Sequence, residues 1–318
     1  MKAILLKNFG GVENLEIEEI PVPKIKPDEV LVQVKAIGID PIDLKTREGG
    51  GMATKLCEEH PMILGWDIAG VVAKAGEKVQ ELKVGDPVFG TVRFPGCGNA
   101  YAEYVAAPAS QLAVKPGNIS FEEAAAATQS PLTAWQALIE TGRIGPGDKV
   151  LIHGAAGGVG NYAVQIAKAA GAYVIGTASA RDKDFVMSLG ADECIDYHTQ
   201  KFEEIVYDAD FILDTVGGEN FVRSLKVLKP GGTIVLLPSN KKEEAQKVAN
   251  ENHISHFYPL LMHSSGENML EIAGLLADGK MKVYLFKVFP FDRIREAHQA
   301  MAQSGHPGKI VVKVENPE

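Results

Sequence analysis

Hydrophobic positions along this chain follow two rhythms. Up to Ser120 they alternate or cluster in short runs broken by glycine and proline. Glu29-Val-Leu-Val-Gln-Val-Lys35 alternates, Ile68-Ala-Gly-Val-Val-Ala73 is a buried-type run, and Val84-Gly-Asp-Pro-Val-Phe-Gly90 sets turn residues ahead of a strand. Many short strands of this kind predict a mostly-β, barrel-like domain. The rhythm changes at Ser120-Phe-Glu-Glu123, where Ser120 and Glu123 form a capping box before the alanine run Ala124 to Ala127. A second helix is predicted over Pro131 to Thr141.

From Lys149 the pattern becomes β-α-β-α. Strands are predicted at Lys149 to Ile152, Tyr173 to Thr177, Cys194 to Asp196, Phe211 to Asp214 and Thr233 to Leu237. Helices fall between them, over Asn161 to Ala170, Asp182 to Leu189, Lys201 to Val206 and Gly218 to Leu228, with Pro230-Gly-Gly232 as the turn into the fifth strand. This alternation predicts an α/β Rossmann fold with a doubly wound parallel sheet. The tail predicts a helix over Asn268 to Ala277, a strand near Val283 to Phe289, a helix over Phe291 to Met301 and a closing strand, Lys309 to Val314. That closing strand needs a partner, and the first domain is expected to provide it. The domains expected are 1–121, 122–260 for the nucleotide domain, and 261–318 as a return to the first.

The run His153-Gly-Ala-Ala-Gly-Gly-Val-Gly160 lies between a predicted strand and a predicted helix. Glycines there let the backbone approach a pyrophosphate, and the helix N-terminus offers unpaired N–H groups and a positive dipole end. Ala155 stands where the first glycine of G-x-G-x-x-G would be, while Gly157 and Gly160 keep the other two places. The competing reading is a purely structural tight turn. The strand and helix on either side favour cofactor binding by Gly157, Gly158, Val159 and Gly160.

A length of 318 residues suggests two domains, and 46% hydrophobic with 23% charged residues is ordinary for a globular protein. The net charge of −9 disfavours a nucleic-acid partner, which would want a basic footprint. No apolar stretch is long enough to span a membrane. Cys57, Cys97 and Cys194 form no C-x-x-C pair and fit a reducing compartment. Met1 to Lys7 is too short an apolar stretch for a signal peptide, so the cytoplasm is expected.

Several further motifs stand in one order along nearly the whole chain. They are Ala36-Ile-Gly-Ile-Asp-Pro-Ile-Asp43, Leu64-Gly-Trp-Asp-Ile-Ala-Gly-Val-Val72, Val84-Gly-Asp-Pro-Val88, Leu132-Thr-Ala-Trp-Gln-Ala-Leu138, the Ala155-to-Gly160 turn, Leu189-Gly-Ala-Asp192 and Gly305-His-Pro-Gly-Lys309. With them the chain resembles the medium-chain dehydrogenase/reductase superfamily, in its zinc-independent NADPH:quinone oxidoreductase branch. The resemblance implies a GroES-like catalytic domain, an inserted nucleotide domain, a reaction in the cleft between them, and a homodimer. Zinc-dependent members carry a cysteine at the position of Asp40 and a histidine at that of Trp66. Indole is not a metal ligand, Cys97 is alone where a structural zinc lobe needs four cysteines, and no metal is expected. An unusual Asp/His site with His60, near in sequence, is the residual alternative, though a lone histidine beside Pro61 is more simply a loop residue.

An NAD-preferring fold places an acid at the end of the second strand to bind the ribose 2′-OH. Here Thr177 to Ala180 holds none; Thr177 is expected among the cofactor-binding residues, and Ser179 and Arg181 can grip a 2′-phosphate, with Lys183 as a second cation. NADPH is the expected cofactor. The alternative is that Arg181 only opens a solvated helix beside Asp182 and Asp184.

By resemblance Tyr197 touches the same phosphate, Thr133 lies near the nicotinamide end, and Ser239, Phe257 and Tyr258 wrap its carboxamide. Lys309 is then placed near the cofactor phosphates. Asp40 and Lys45 stand where many relatives have Asn and Tyr. Lys45 is a candidate donor to a developing enolate, with Asp40 holding it or the ribose, against the plain alternative of a surface lysine. Without a Lewis acid, hydride delivery to a quinone or an α,β-unsaturated carbonyl is better served than alcohol oxidation. The other function class kept open is an NADPH-binding structural or interaction protein with little turnover.

Overall fold

The computed structural model describes residues 1–56, 61–237, 242–303, 305 and 307–315. It divides into two compact units, Met1–Leu132 with His263–Glu318, and Thr133–Met262.

The first unit begins with an antiparallel pair, β1 (Lys2–Leu6) and β2 (Leu15–Glu19). Next come β3 (Glu29–Ile39), α1 (Pro41–Arg47), α2 (Ala53–Leu56), β4 (Asp67–Ala75), β5 (Pro87–Thr91), β6 (Tyr104–Pro108) and β7 (Ala113–Val114). Helices α3 (Phe121–Ala126) and α4 (Gln129–Trp135) lead out of it.

The second unit runs β8 (Lys149–His153), α5 (Gly158–Ala169), β9 (Tyr173–Ala178), α6 (Lys183–Ser188), β10 (Glu193–Asp196), β11 (Ala209–Asp214), α7 (Glu219–Ser224), β12 (Leu228–Leu236), α8 (Lys242–Glu251) and β13 (Phe257–Pro259). The chain then returns through α9 (Gly266–Ala277), β14 (Leu285–Pro290), α10 (Ile294–Ala302) and β15 (Lys309–Lys313).

Among the described residues the second unit is one parallel six-stranded sheet in the order β10-β9-β8-β11-β12-β13. The order reverses between β8 and β11, which is where a doubly wound sheet opens its ligand crevice. Leu151, Ile175, Ile212 and Ile234 supply its core because a strand covered on both faces needs no polar side.

The first unit holds a seven-stranded sheet, β14-β15-β3-β4-β5-β7 with β6 also on β3. β15 pairs antiparallel with β3, so the closing strand completes the first unit's sheet and buries Ile310, Val311 and Val312.

Local differences from the sequence pattern have physical causes. The alanine run of α3 is a packing face as much as a helix signal. A Cβ at Gly38 of β3 would meet the Ala125 carbonyl oxygen at 2.6 Å, so only small residues allow that approach, and α3 stands with the first unit. The Lys201 to Val206 helix shrinks to one 3-10 turn, Phe202–Glu204, too short to offset the cost of helix nucleation. Pro230-Gly-Gly232 is not a turn before the fifth strand but lies inside β12, where pairing with β11 slips a register and Gly231 takes φ +78°. The segment Gln136–Thr141 continues α4 as a π-helix.

Candidate active site

In the second unit, β8 ends at His153 and the chain turns through Gly154 at φ +69° into α5. A Cβ at Gly160 would lie 2.1 Å from the Gly154 carbonyl oxygen, so this helix can approach the turn only through glycine. The N-cap is Gly157, which has no side chain to satisfy the first N–H groups of α5. Gly158, Val159 and Gly160 open that helix. A twelve-residue helix with an uncapped, rigidly held N-terminus suits the pyrophosphate of a dinucleotide.

The turn is fixed from beneath by a directed chain of hydrogen bonds. The Ala155 N–H donates to the Thr177 carbonyl at 3.0 Å. His153 Nδ1 and the Thr177 hydroxyl lie 3.1 Å apart, and His153 Nε2 and the Ser224 hydroxyl 3.0 Å. Ser224 in turn donates to the Asn220 carbonyl at 2.7 Å. With that proton committed, Nε2–H must donate to Ser224, and Nδ1 must accept from Thr177. Burial holds His153 neutral, its pKa pushed down to about 4. Thr177 therefore supports the turn from inside rather than facing a ligand: it is 3% exposed and its hydroxyl is engaged by His153. Neither His153 nor Ser224 stood out in the sequence, since nothing in spacing reveals a side chain packed under a sheet.

At the end of β9, Ser179 donates to Asp182 at 2.6 Å and the Arg181 Nε donates to the same carboxylate oxygen at 3.3 Å. Tyr197, just past β10, is exposed and tilts over His198 at 4.3 Å. The glycine turn, Thr177, Ser179, Arg181 and Tyr197 thus all stand at the carboxyl ends of the adjacent parallel strands β8, β9 and β10. Phe257 and Tyr258 lie on β13, at the opposite edge of the sheet. Phe257 packs on Phe221 in the core at 5.0 Å, and Tyr258 is exposed. Thr133 is buried on α4. Ser239, Cys57 and His60 lie outside the described residues.

In the first unit a buried polar cluster surrounds the start of α1. Lys309 and Asp40 form an ion pair with both side chains under a tenth exposed. Lys309 also donates to Ser130 at 3.2 Å, and Ser130 donates to Asp40 at 3.4 Å. Burial alone would raise the Asp40 carboxyl. The Lys309 charge and hydrogen bonds from Asp67, Lys309 and Ser130 outweigh it and hold Asp40 below its ordinary range. Burial first, and the Asp40 charge second, push the carboxyl of Asp67 well up, while its two oxygens accept from the Thr91 hydroxyl at 2.9 Å and the Gln129 N–H at 3.3 Å. Asp43 is likewise raised by burial and by Asp40.

This corrects two expectations. Asp40 is held by Lys309, not by Lys45, which is exposed on α1. Lys309 is enclosed in the first unit rather than offered to phosphates, because an unpaired carboxylate at Asp40 would be far costlier to bury than a matched pair.

Trp66, at the second position where zinc-bearing relatives have a ligand, is 2% exposed and donates its indole N–H to the Gly96 carbonyl at 2.7 Å. Together with the ammonium of Lys309 on Asp40, this is a donor set that does not fit a divalent metal. Among the described residues no helix is long and apolar enough to cross a membrane.

Residues 26–117 match the model of the alcohol dehydrogenase GroES-like domain, and residues 189–312 that of the zinc-binding dehydrogenases. The chain is 33% identical to a 2-methylene-furan-3-one reductase of Solanum lycopersicum, covering 98% of this chain and 79% of that protein. It is equally 33% identical to an NADPH-dependent alkenal/one oxidoreductase of Arabidopsis thaliana, with 98% and 79% covered. Among solved structures, a quinone oxidoreductase from Coxiella burnetii superposes with a TM-score of 0.91 at 36% identity, covering 99% of each chain. The chain belongs to the medium-chain dehydrogenase/reductase superfamily, in its quinone oxidoreductase branch.

Proposed function

We propose that this protein is an NADPH-dependent reductase that passes hydride to quinones and α,β-unsaturated carbonyls without zinc. The observation that carries the reading is the buried Lys309–Asp40 pair, with Trp66, at the positions that metal-bearing relatives use for ligands. With no Lewis acid to polarise an alcohol, the acceptors that remain are those already electrophilic. The relatives named as alkenal/one and quinone oxidoreductases favour this over a binding protein with little turnover.

Bound NADPH would supply the hydride. Gly157, Gly158, Val159 and Gly160 would take the pyrophosphate on the N-terminus of α5, which His153 and Thr177 hold rigid. Ser179, Arg181 and Tyr197 would meet the 2′-phosphate. Thr133, Ser239 and Tyr258 would place the nicotinamide, with Phe257 supporting β13 from the core. Once the electron pair of an enone has moved onto its carbonyl oxygen, Lys45 is the group assigned to donate a proton to the enolate. Asp40 and Lys309 would keep α1, which carries Lys45, anchored to the sheet.

Residence in the cytoplasm and assembly as a homodimer belong to the same proposal, the first supported by the sparse cysteines. The test is NADPH consumption against a panel of quinones, enals, enones and simple alcohols. Turnover with quinones or enones is expected. Turnover with alcohols alone, or with no acceptor, overturns the reading.

A further inference from the structure

The two groups at the end of β9 that suit a 2′-phosphate already hold an anion. The single hydroxyl proton of Ser179 goes to Asp182 Oδ2 at 2.6 Å, and the Arg181 Nε reaches the same oxygen at 3.3 Å. Asp182 is fixed there by its own backbone, whose N–H donates to the Ser179 carbonyl at 2.9 Å. Its side chain is 17% exposed while that of Arg181 is 65% exposed, so the carboxylate is the more enclosed partner and the guanidinium the more solvated one. A second carboxylate sits under the same turn. Asp196, at the end of β10, takes the Thr199 hydroxyl at 2.8 Å, the His198 N–H at 3.1 Å and the Ala180 N–H.

We propose that Asp182 is an internal competitor for the cofactor's 2′-phosphate, and so sets how strongly this protein discriminates NADPH from NADH. The inference rests on the reading of Ser179 and Arg181 as the phosphate end. A 2′-phosphate that takes the hydroxyl of Ser179 must break its bond to Asp182. It then sits within one hydrogen-bonding shell of a carboxylate of the same sign. NADH brings neither demand, because its 2′-OH carries no charge. The strand end lacks the acid of an NAD site, yet its charge is not simply positive. Asp182 offsets part of what Arg181 offers, so the expected outcome is dual cofactor use with a moderate bias to NADPH.

Asp182→Asn removes the charge and keeps an oxygen that Ser179 and Arg181 can still bond, so the turn stays folded. Two probes isolate this end of the cofactor, adenosine 2′,5′-bisphosphate and 5′-AMP, titrated by calorimetry beside NADPH and NADH. Removing one like charge at this range should tighten the bisphosphate and NADPH about tenfold and leave 5′-AMP and NADH within about twofold. Arg181→Ala should then cost more bisphosphate affinity when combined with Asp182→Asn than in wild type, because the guanidinium no longer divides its attraction.

Weaker bisphosphate binding by Asp182→Asn would mean that the carboxylate prearranges its neighbours, and would overturn the proposal. Unchanged binding would overturn it too. Failure of wild type and variant alike to distinguish the bisphosphate from 5′-AMP would show that the 2′-phosphate lies elsewhere, which removes the basis as well.

Discussion

At the scale of single residues, the Lys309–Asp40 pair shows how a buried charge constrains what a position can do. Each partner is tolerated only because the other is there. Asp40→Leu should destabilise the first unit by about 3–5 kcal/mol, since it leaves the ammonium of Lys309 buried and unmatched. Lys309→Met should do similar damage by leaving the carboxylate. The double variant Asp40→Leu with Lys309→Met should recover most of the loss, because replacing a buried pair with apolar side chains is often close to neutral. Denaturant unfolding of the four proteins measures this cycle. Additive losses would show that the two side chains act on the fold separately.

Lys45 belongs to the same helix and faces the other way. Lys45→Met should lower turnover with the best acceptor by about 100-fold while leaving the NADPH dissociation constant unchanged, as expected of a proton donor used only in the transition state. Unchanged turnover would make it an ordinary exposed lysine.

At the scale of elements, the parallel sheet and its glycine turn were legible because their signals are local. Lys149-Val-Leu-Ile152, the glycines and the apolar face of α5 lie within one short stretch, and each is a consequence of backbone geometry. The tertiary partners were not legible. Lys309 reaches Asp40 across most of the chain, and the run Gly305 to Lys309 that carried the resemblance gave no sign that its lysine turns inward. α8 was missed because its buried positions are only Ala245 and Ala249 on an otherwise charged helix. β13 was missed because it has three residues, one of them proline.

His298 on α10 is a further element-scale contact invisible in sequence. It accepts from Arg47 at Nδ1, 3.3 Å away, and its Nε2 lies 2.9 Å from the Tyr101 hydroxyl, which ties α10 to α1. Burial first, and the Arg47 charge second, push its pKa down to about 3. The folded state therefore keeps His298 neutral while the unfolded chain protonates it below about 6.5. Between those values the unfolded state binds the extra proton, so this residue's contribution to stability shrinks as pH falls, by about 1.4 kcal/mol per unit.

Asp43 and Asp67 act in the opposite sense, since the fold keeps them protonated above the pH at which the unfolded chain releases its protons. They counteract the histidine above about pH 4, for as far up as the fold holds their protons. His298→Gln removes one side of that balance. Its destabilisation relative to wild type should be largest near neutral pH and should diminish steadily below pH 6.5, measured by urea unfolding at several pH values. A constant difference would show that the fold does not depress the His298 pKa.

At the scale of the whole molecule, what separates this chain from the metal-using members of its superfamily is distributed over distant parts of the sequence. A catalytic zinc needs three protein ligands around an open position. Here Asp40 is neutralised by Lys309, which arrives from β15, and Trp66 is fixed by the Gly96 carbonyl and an edge contact with Phe94 at 5.5 Å. Cys97, where a structural zinc would want a cluster, directs its thiol to the Lys55 carbonyl at 3.1 Å.

A cation placed on Asp40 would have to displace a buried ammonium, and burial pushes the carboxyl of Asp67 beside it well up, which weakens it as a ligand. Purified protein should therefore contain no stoichiometric zinc, and NADPH-dependent turnover of a quinone or enone should survive prolonged treatment with a strong chelator. Added zinc should not create alcohol oxidation, because the missing parts are ligands rather than metal. Elemental analysis finding one zinc per chain, lost together with activity on chelation, would overturn both the metal-free reading and the substrate class that follows from it.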